Sequence, residues 1–464
     1  MHHHPTLRFQ IQNAVITLMM FGIASHAMGE SSSLSHPKAL LSGSPVMTLQ
    51  DAEEYALKHN PAIAAASRSA EAARQVVTEI RAGFFPQVGA NAIYAYTPNG
   101  QTHIDATGLL ADSKGFTRQS DGLVASQLIT DFGRTAFLTS SSSFEAMAQF
   151  NQVDAVKQFI LLSVDTAYYT ALGAIALQKV ADQEIKTNEL LLEQIKAFVT
   201  SNLKPQIDVS FQESTLAQSR LLKVDADGKY DEAIANLIKA MGWKEISSFS
   251  IVEKNNNSPF PEDSAPFQAK AFGLRPDLIA KRNEVEAAMK TAKAEFSARL
   301  PQVTALAAAG FNPYVQQQNS PLSDSYGMVG VNVSVPIFTG GRLSAKQKEA
   351  ELRASAMSES LKDYEEIVFK DVRNAWVRAR TSYHSIAAAQ DYEKAATEAF
   401  DLAQGRYTAG ISSITEVSQA EVIRLQAQIA LVTAHYDYLS RLAALAFESG
   451  DLTTRINPGT PPKK

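Results

Sequence analysis

The sequence predicts a mainly α-helical protein that carries four membrane-length β-strands and must associate with copies of itself to close them into a barrel. Three observations lead there. The chain repeats itself once, each copy reading helix–strand–strand–long helix–helix. Two proline-free helical stretches, 132–200 and 342–407, are far too long for any compact core to enclose. The strands that precede them alternate apolar and polar residues with a period of two.

The alternation is cleanest in residues 328–342. Val329, Val331, Val333, Val335 and Ile337 fall on one face, and Met328, Gly330, Asn332, Ser334 and Pro336 on the other. Thr339 then offers an N-cap, and the helical pattern begins at Arg342. A strand feeding directly into so long a helix is an unusual joint.

From the start of the chain, Arg8, an apolar run and the small residues Ser25 and Ala27 read as a secretory signal peptide over 1–27. No later run approaches the ~20 apolar residues of a transmembrane helix. Residues 28–47 read as a flexible leader. The first copy spans 48–242, with strands near 87–96 and 121–129. Asn60-Pro61 opens its second helix as cap and first-turn residue, Pro86 closes it, and Asp131 can cap the long helix. A linker rich in Asn, Ser and Pro covers 243–270. The second copy spans 271–450, with strands near 302–311 and 327–337, and a tail covers 451–464.

The copies are in register. Pro276 and Pro301 repeat Pro61 and Pro86 at an offset of 215, while Asp208-Val209, Glu213 and Gly242 recur as Glu416-Val417, Glu421 and Gly450 at 208. The first outer loop is therefore about seven residues longer than the second.

Bulk properties exclude several classes. A formal net charge of −5 lacks the basic footprint of a nucleic-acid binder. The absence of cysteine removes thiolate catalysis, thiolate metal sites and disulfides. The nine histidines include no paired ligand spacing, and neither a P-loop nor a G-x-S-x-G elbow occurs. The reading is of a protein without catalytic centre, metal or cofactor.

An exported chain without a membrane helix has one other way to span lipid, a closed barrel, because open sheet edges cannot face hydrocarbon. Four strands of about ten residues reach across, but the smallest spanning barrels have eight. The chain must oligomerise.

The duplicated plan, the proline-bounded strand pairs and the helix break R-Y-T-A-G-I-S-S-I-T-E-V at 406–417 resemble the TolC-like outer-membrane efflux protein family over residues 48–450. The resemblance implies a homotrimer. A 12-stranded outer-membrane β-barrel, four strands per chain, would continue into a long periplasmic α-helical barrel. It implies an exit duct of a tripartite efflux pump or type I secretion system in a Gram-negative outer membrane. Its partners would be outer-membrane lipid, a periplasmic adaptor (membrane fusion) protein and, through that, an inner-membrane RND, ABC or MFS transporter.

Three sets of site residues follow from the resemblance. Val199, Thr200, Ser201, Asn202 and Leu203, with Thr408, Ala409, Gly410, Ile411 and Ser412, would be the periplasmic tips that meet the adaptor; an ordinary αα-turn capped at Gly410 is the plain alternative. Asp401 and Glu398 would ring the constricted entrance, where threefold repetition concentrates negative charge. Pro336, Thr339, Gly340 and Gly341, with Asp131 and Gly133, would form the hinge between barrel and helices. The first tip lacks a glycine, leaving its conformation open, and the first seam lacks the proline and one glycine, so the two seams are expected to bend differently. Asp208 and Glu416 read as caps of the returning helices. Tyr94, Tyr96, Phe116, Phe311, Tyr314 and Tyr326 read as interfacial aromatic girdles. A periplasmic long-helix scaffold or adaptor without a pore is the rival reading, and it leaves the strand pairs unexplained.

Overall fold

The structure, a computed structural model, describes residues 46–95, 118–243, 249–253, 260–311 and 325–456. The expected signal peptide, the leader up to residue 45, Tyr96, Phe116 and Tyr314 of the outer loops, and tail residues 457–464 lie outside the described residues.

β1 (Val46–Met47) precedes α1 (Leu49–His59), started by a reciprocal capping box between Thr48 and Asp51. α2 (Pro61–Arg81) is capped by the Asn60 side chain, with Pro61 at its first position. A 3₁₀ turn (Ala82–Phe84) leads to β2 (Gln87–Ala95), β3 (Arg118–Thr130), α3 (Arg134–Thr200) and α4 (Gln206–Met241). β4 (Ser250–Ile251) and α5 (Ala265–Leu274) belong to the linker region. The second copy follows as α6 (Pro276–Ser297), β5 (Gln302–Phe311), β6 (Ser325–Ser334), α7 (Arg342–Thr408) and α8 (Ile414–Glu448), then α9 (Leu452–Ile456). α3 and α7 have 67 residues each, or about 100 Å at the α-helical rise.

The four longer strands form one antiparallel sheet in the order β2-β3-β5-β6, so β2 and β6 each have an open edge. Register and alternation sort its two faces. One carries Val88, Ala90 and Ala92, Leu123 and Ala125, Val303, Ala305, Ala307 and Ala309, Phe311, and Val329, Val331 and Val333. The other carries Gln87 and Asn91, Ser126, Gln302 and Thr304, and Asn332 and Ser334, interrupted by Ile93, Val124, Leu128, Leu306 and Met328, while Asp121 stands among the apolar residues of the first face. Gln127, which breaks the apolar face, donates from Nε2 to Phe84 O and Leu128 O at 2.9 Å each. All ten residues of β6 are exposed, and Val329 is 88% exposed. Exposed apolar faces of this size mark a protein–protein or membrane contact.

Two expectations about the strands change. β6 ends at Ser334, short of Val335 and Ile337, because Pro336 has no N–H to continue the ladder. Tyr326 is the register partner of Gly310 and shares the face of Met328 and Asn332. It therefore does not belong with Phe311 and the valines in a lipid-facing girdle.

The seams also differ from expectation, in that they bend alike. The second passes through Gly340 (φ 60°) and Gly341 (φ 82°); the first passes through Phe132 (φ 55°) and Gly133 (φ 92°). Phe132 holds the left-handed conformation that a glycine holds in the other copy, at a cost of roughly 1–2 kcal/mol. Local bonds retain it: Thr130 Oγ1 accepts from Phe132 N–H at 3.1 Å, Ser297 Oγ donates to Phe132 O at 3.2 Å, and Asp131 accepts from Gly133 N–H and Thr135 N–H at 3.1 and 2.7 Å. Gly133 and Gly341 hold the N-cap positions. Thr339 therefore does not cap α7 with its side chain.

Midway along the helices a girdle packs the first copy against the linker. β1 and β4 pair in parallel, and Tyr168 Oη lies 2.9 Å from Met47 O and 2.7 Å from Val252 O. Ile160, Val164, Ala171 and Leu172 of α3 pack there with Leu237 and Met241. An 18-residue window of α3 is apolar enough by composition to cross a membrane, although Ser163, Asp165, Thr166 and Thr170 interrupt the apolar run. Its packing in the girdle core accounts for it. Arg455 of α9 reaches back across the girdle to Glu53 and Asp165, at 2.6 and 3.2 Å.

The duplication is visible in the contacts. Asn60 Nδ2 donates to Ala240 O at 2.9 Å, and Arg275, its counterpart at offset 215, points Nη1 at Glu448 O, the counterpart of Ala240 at 208. Arg275 is 7% exposed and forms ion pairs with Asp277 and Glu448 at 2.6 Å each. Tyr364 Oη donates to the same Asp277 at 2.8 Å. Arg275→Ala leaves two partly buried carboxylates without their cation, and denaturant melting followed by helical signal should show a loss of about 3–5 kcal/mol.

Candidate functional site

The helical ends opposite the sheet bring together the two expected tips. At the first, Asn202 takes φ 56°; at the second, Gly410 takes φ 78°. Leu203 N–H donates to Phe198 O at 2.9 Å, and Ile411 N–H to Arg406 O at 2.8 Å. These are the same helix-ending turn, with 208 separating each pair of equivalent residues. Asparagine supplies in the first copy what glycine supplies in the second. Thr200, Ser201, Asn202 and Leu203, with Thr408, Ala409, Gly410 and Ile411, are exposed, while Val199 and Ser412 are half-buried.

Behind the turns, one contact locks the two helix pairs. Tyr407 Oη donates to Asp208 Oδ2 at 2.6 Å, and both side chains are buried. Lys204 Nζ stands 4.0 Å from the centre of the Tyr407 ring. Burial, and after it the Asp208 carboxylate, hold the phenol well above its ordinary range. Asp208 therefore serves a tyrosine across the tip, beyond the capping role read from sequence. Its repeat counterpart Glu416 pairs with Arg406 at 3.2 Å. Around them Leu192, Ile195, Val209, Phe400, Ala403, Ile414 and Val417 form an apolar plug.

Farther from the turns lies a buried polar layer contributed by α3, α4 and α8. Arg424 of α8 donates to Glu184 of α3 at 2.7 Å and stacks its guanidinium 4.0 Å over Phe400 of α7. Asn188 Nδ2 donates to Ser219 Oγ at 2.9 Å, and Gln212 Nε2 to Asn188 Oδ1 at 2.6 Å. Glu421 completes the layer at 2% exposure. Burial, and then Glu184 beside it, push the Glu421 carboxyl up to about 8. Sequence reading missed this layer. The available cue was Glu421 recurring with Glu213, but the counterpart side chain turned inward is Gln212, one residue away.

The expected entrance acids stand apart from this layer. Glu398 and Asp401 are exposed on the last turns of α7, on a different face from Phe400, Ala403 and Tyr407. At the other end of the helices, Pro336, Thr339, Asp131 and Gly133 are half-buried and Gly340 and Gly341 exposed, each within its seam. Among the described residues no cluster of His, Asp and Glu is arranged to hold a metal.

The Glu421 carboxyl titrates higher in the folded chain than its free value of 4.5. The stability it contributes is therefore complete below about pH 4.5 and is lost as pH rises through about 8. Asp165, raised to about 8 by burial and by Glu53, adds a slope of the same sign. The thermal midpoint should fall between about pH 5 and about pH 9, and Glu421→Gln should shrink that fall. An equal fall in the variant would remove Glu421 from this account.

Comparison with known proteins follows the same two-copy layout. A family model, Outer membrane efflux protein, matches residues 54–243 and 269–451. Outer membrane protein TolC of Escherichia coli is 23% identical over 406 residues, covering 84% of this chain and 80% of that protein. Alkaline protease secretion protein AprF of Pseudomonas aeruginosa is 23% identical over 419 residues, covering 87% and 84%. The solved structure of outer membrane protein VceC from Vibrio cholerae superposes with a TM-score of 0.72 at 19% identity, covering 87% of this chain and 96% of that one. The fold is shared.

Proposed function

The chain belongs to the outer membrane efflux protein family, and on that premise we propose that three copies form a passive outer-membrane exit duct. The observation that carries this is the bare four-stranded sheet, apolar on one face and open at both edges, joined without interruption to two helices of 67 residues. Three such sheets, β6 of one copy paired with β2 of the next, make twelve strands and leave no edge. The valine face then meets lipid, and the face of Asn332 and Thr304 lines a wet lumen. The helices continue the wall into the periplasm. A scaffold without a pore has no use for such a sheet.

In this reading the tips around Asn202 and Gly410 are where a periplasmic adaptor docks, linking the duct to an inner-membrane transporter. Their exposed backbone and matching turns support that role. Glu398 and Asp401 supply the negative ring at the entrance, and the seams from Asp131 to Gly133 and from Pro336 to Gly341 turn barrel into helical wall. Catalysis has no place in the scheme. Cargo that enters is moved by the energy of the partner pump.

Membrane fractionation tests the whole reading. The chain should require detergent for extraction and then run as a trimer; a soluble periplasmic monomer would overturn it. For the entrance, Asp401→Ala should weaken block by divalent cations in planar-bilayer recordings, and unchanged block would take Asp401 out of the ring.

A further inference from the structure

One row of the sheet crosses three strands at a single level beside the outer loops. Gly122 of β3 pairs with Gly310 of β5, and Gly310 pairs with Tyr326 of β6. All three positions face the same side, so two of them present no side chain. The tyrosine fills both. A Cβ placed on Gly122 would stand 2.6 Å from Tyr326 Oη, and one on Gly310 would stand 2.8 Å from it. The ring therefore lies flat across β5 with its hydroxyl over β3, a reach matching the ~4.8 Å between strands. Glycine inside a strand costs stability and marks a place where something approaches the backbone closely. Here that something is an aromatic ring, 42% exposed on its open side.

We infer that Gly122 and Gly310 form a slot that holds Tyr326 flat against the lumen wall and so sets the bore at the outer mouth of the duct. The inference rests on the channel reading, and within it on the polar face lining the lumen. Three copies place three rings around one mouth. Each ring lifted from its slot enters the path of cargo from a different side, so the slot decides how large a molecule leaves.

The sequence contains no cysteine, so one introduced thiol is unique. Asn332→Cys places it on the face of Tyr326, deeper along β6. Whole cells are treated from outside with a small hydrophilic maleimide and with a polymer-extended one. Gly122→Ala is the informative change, because its methyl meets the end of the Tyr326 side chain first and the β5 backbone no closer than 3.2 Å, whereas a Cβ at Gly310 collides with the Asp121 carbonyl of β3. In that background the small reagent should label Asn332→Cys as before and the bulky one more slowly. Adding Tyr326→Phe removes only the colliding hydroxyl and should restore the bulky rate. No slowing, or slowing that Tyr326→Phe does not relieve, overturns the slot. If Gly122→Ala does not assemble, Tyr326→Trp carries the test, since the larger ring cannot lie in the slot. Slower bulky labelling then supports the inference and an unchanged rate overturns it. With Gly122 and Tyr326 unaltered, labelling of Val331→Cys in place of Asn332→Cys by the small reagent would reverse the two faces. That result would sink the channel reading itself, which separates it from failure of the slot alone.

Discussion

Every strand has backbone donors and acceptors on two sides, and β2 and β6 satisfy theirs on one side only. In water such edges are solvated; in hydrocarbon each unmet group costs several kcal/mol. The apolar face of the same sheet makes water an equally poor surrounding. These two demands, hydrocarbon for the face and a partner strand for each edge, are met together in the proposed ring of neighbouring copies. The long helices follow from that solution. A ring of strands held in a bilayer delivers one helix from each seam, and helices so placed find their packing partners beside them along the wall.

Much of this was legible from the amino acids. Period-two alternation with valine on one side survives any tertiary context because register fixes which face each residue takes. The copies announce themselves through prolines and glycines, whose backbone demands are local. Where residues depend on what comes alongside, the sequence was silent. Phe132 carries no sign of a positive φ; the bend lies at the junction of β3 with α3, where hydrogen bonds accepted by Thr130 and Asp131 and one donated by Ser297 keep it. Tyr326 alternates like any strand residue, and only the strand order shows that two glycines lie beneath its ring. Asp208 and Glu421 look like the surface acids of any helix until a second pair of helices covers them.

The helical end is held by two layers of opposite character. Nearest the turns, apolar side chains surround a single buried phenol–carboxylate bond, and these ask only to be excluded from water. Behind it, a glutamate, two amides, a serine and one arginine from three helices form contacts that depend on orientation. Removing one member of such a layer strands the others without partners, so it specifies register more sharply than leucines could. The apolar plug holds the ends together, and the polar layer fixes which residues stand opposite one another.

Arg455 and Glu53, joined in the girdle, are 402 residues apart in sequence. Contacts of that separation form late, because the entropy of closing so long a loop must be met before the bond returns anything. A polypeptide that emerges from a translocon N-terminus first exposes Glu53 and Asp165 long before Arg455 follows. Until then Glu53 and Asp165 lack the cation that stands beside them in the folded chain. The girdle is thus closed by a residue from the last described helix, so its interior is complete only when the chain has been followed to that point.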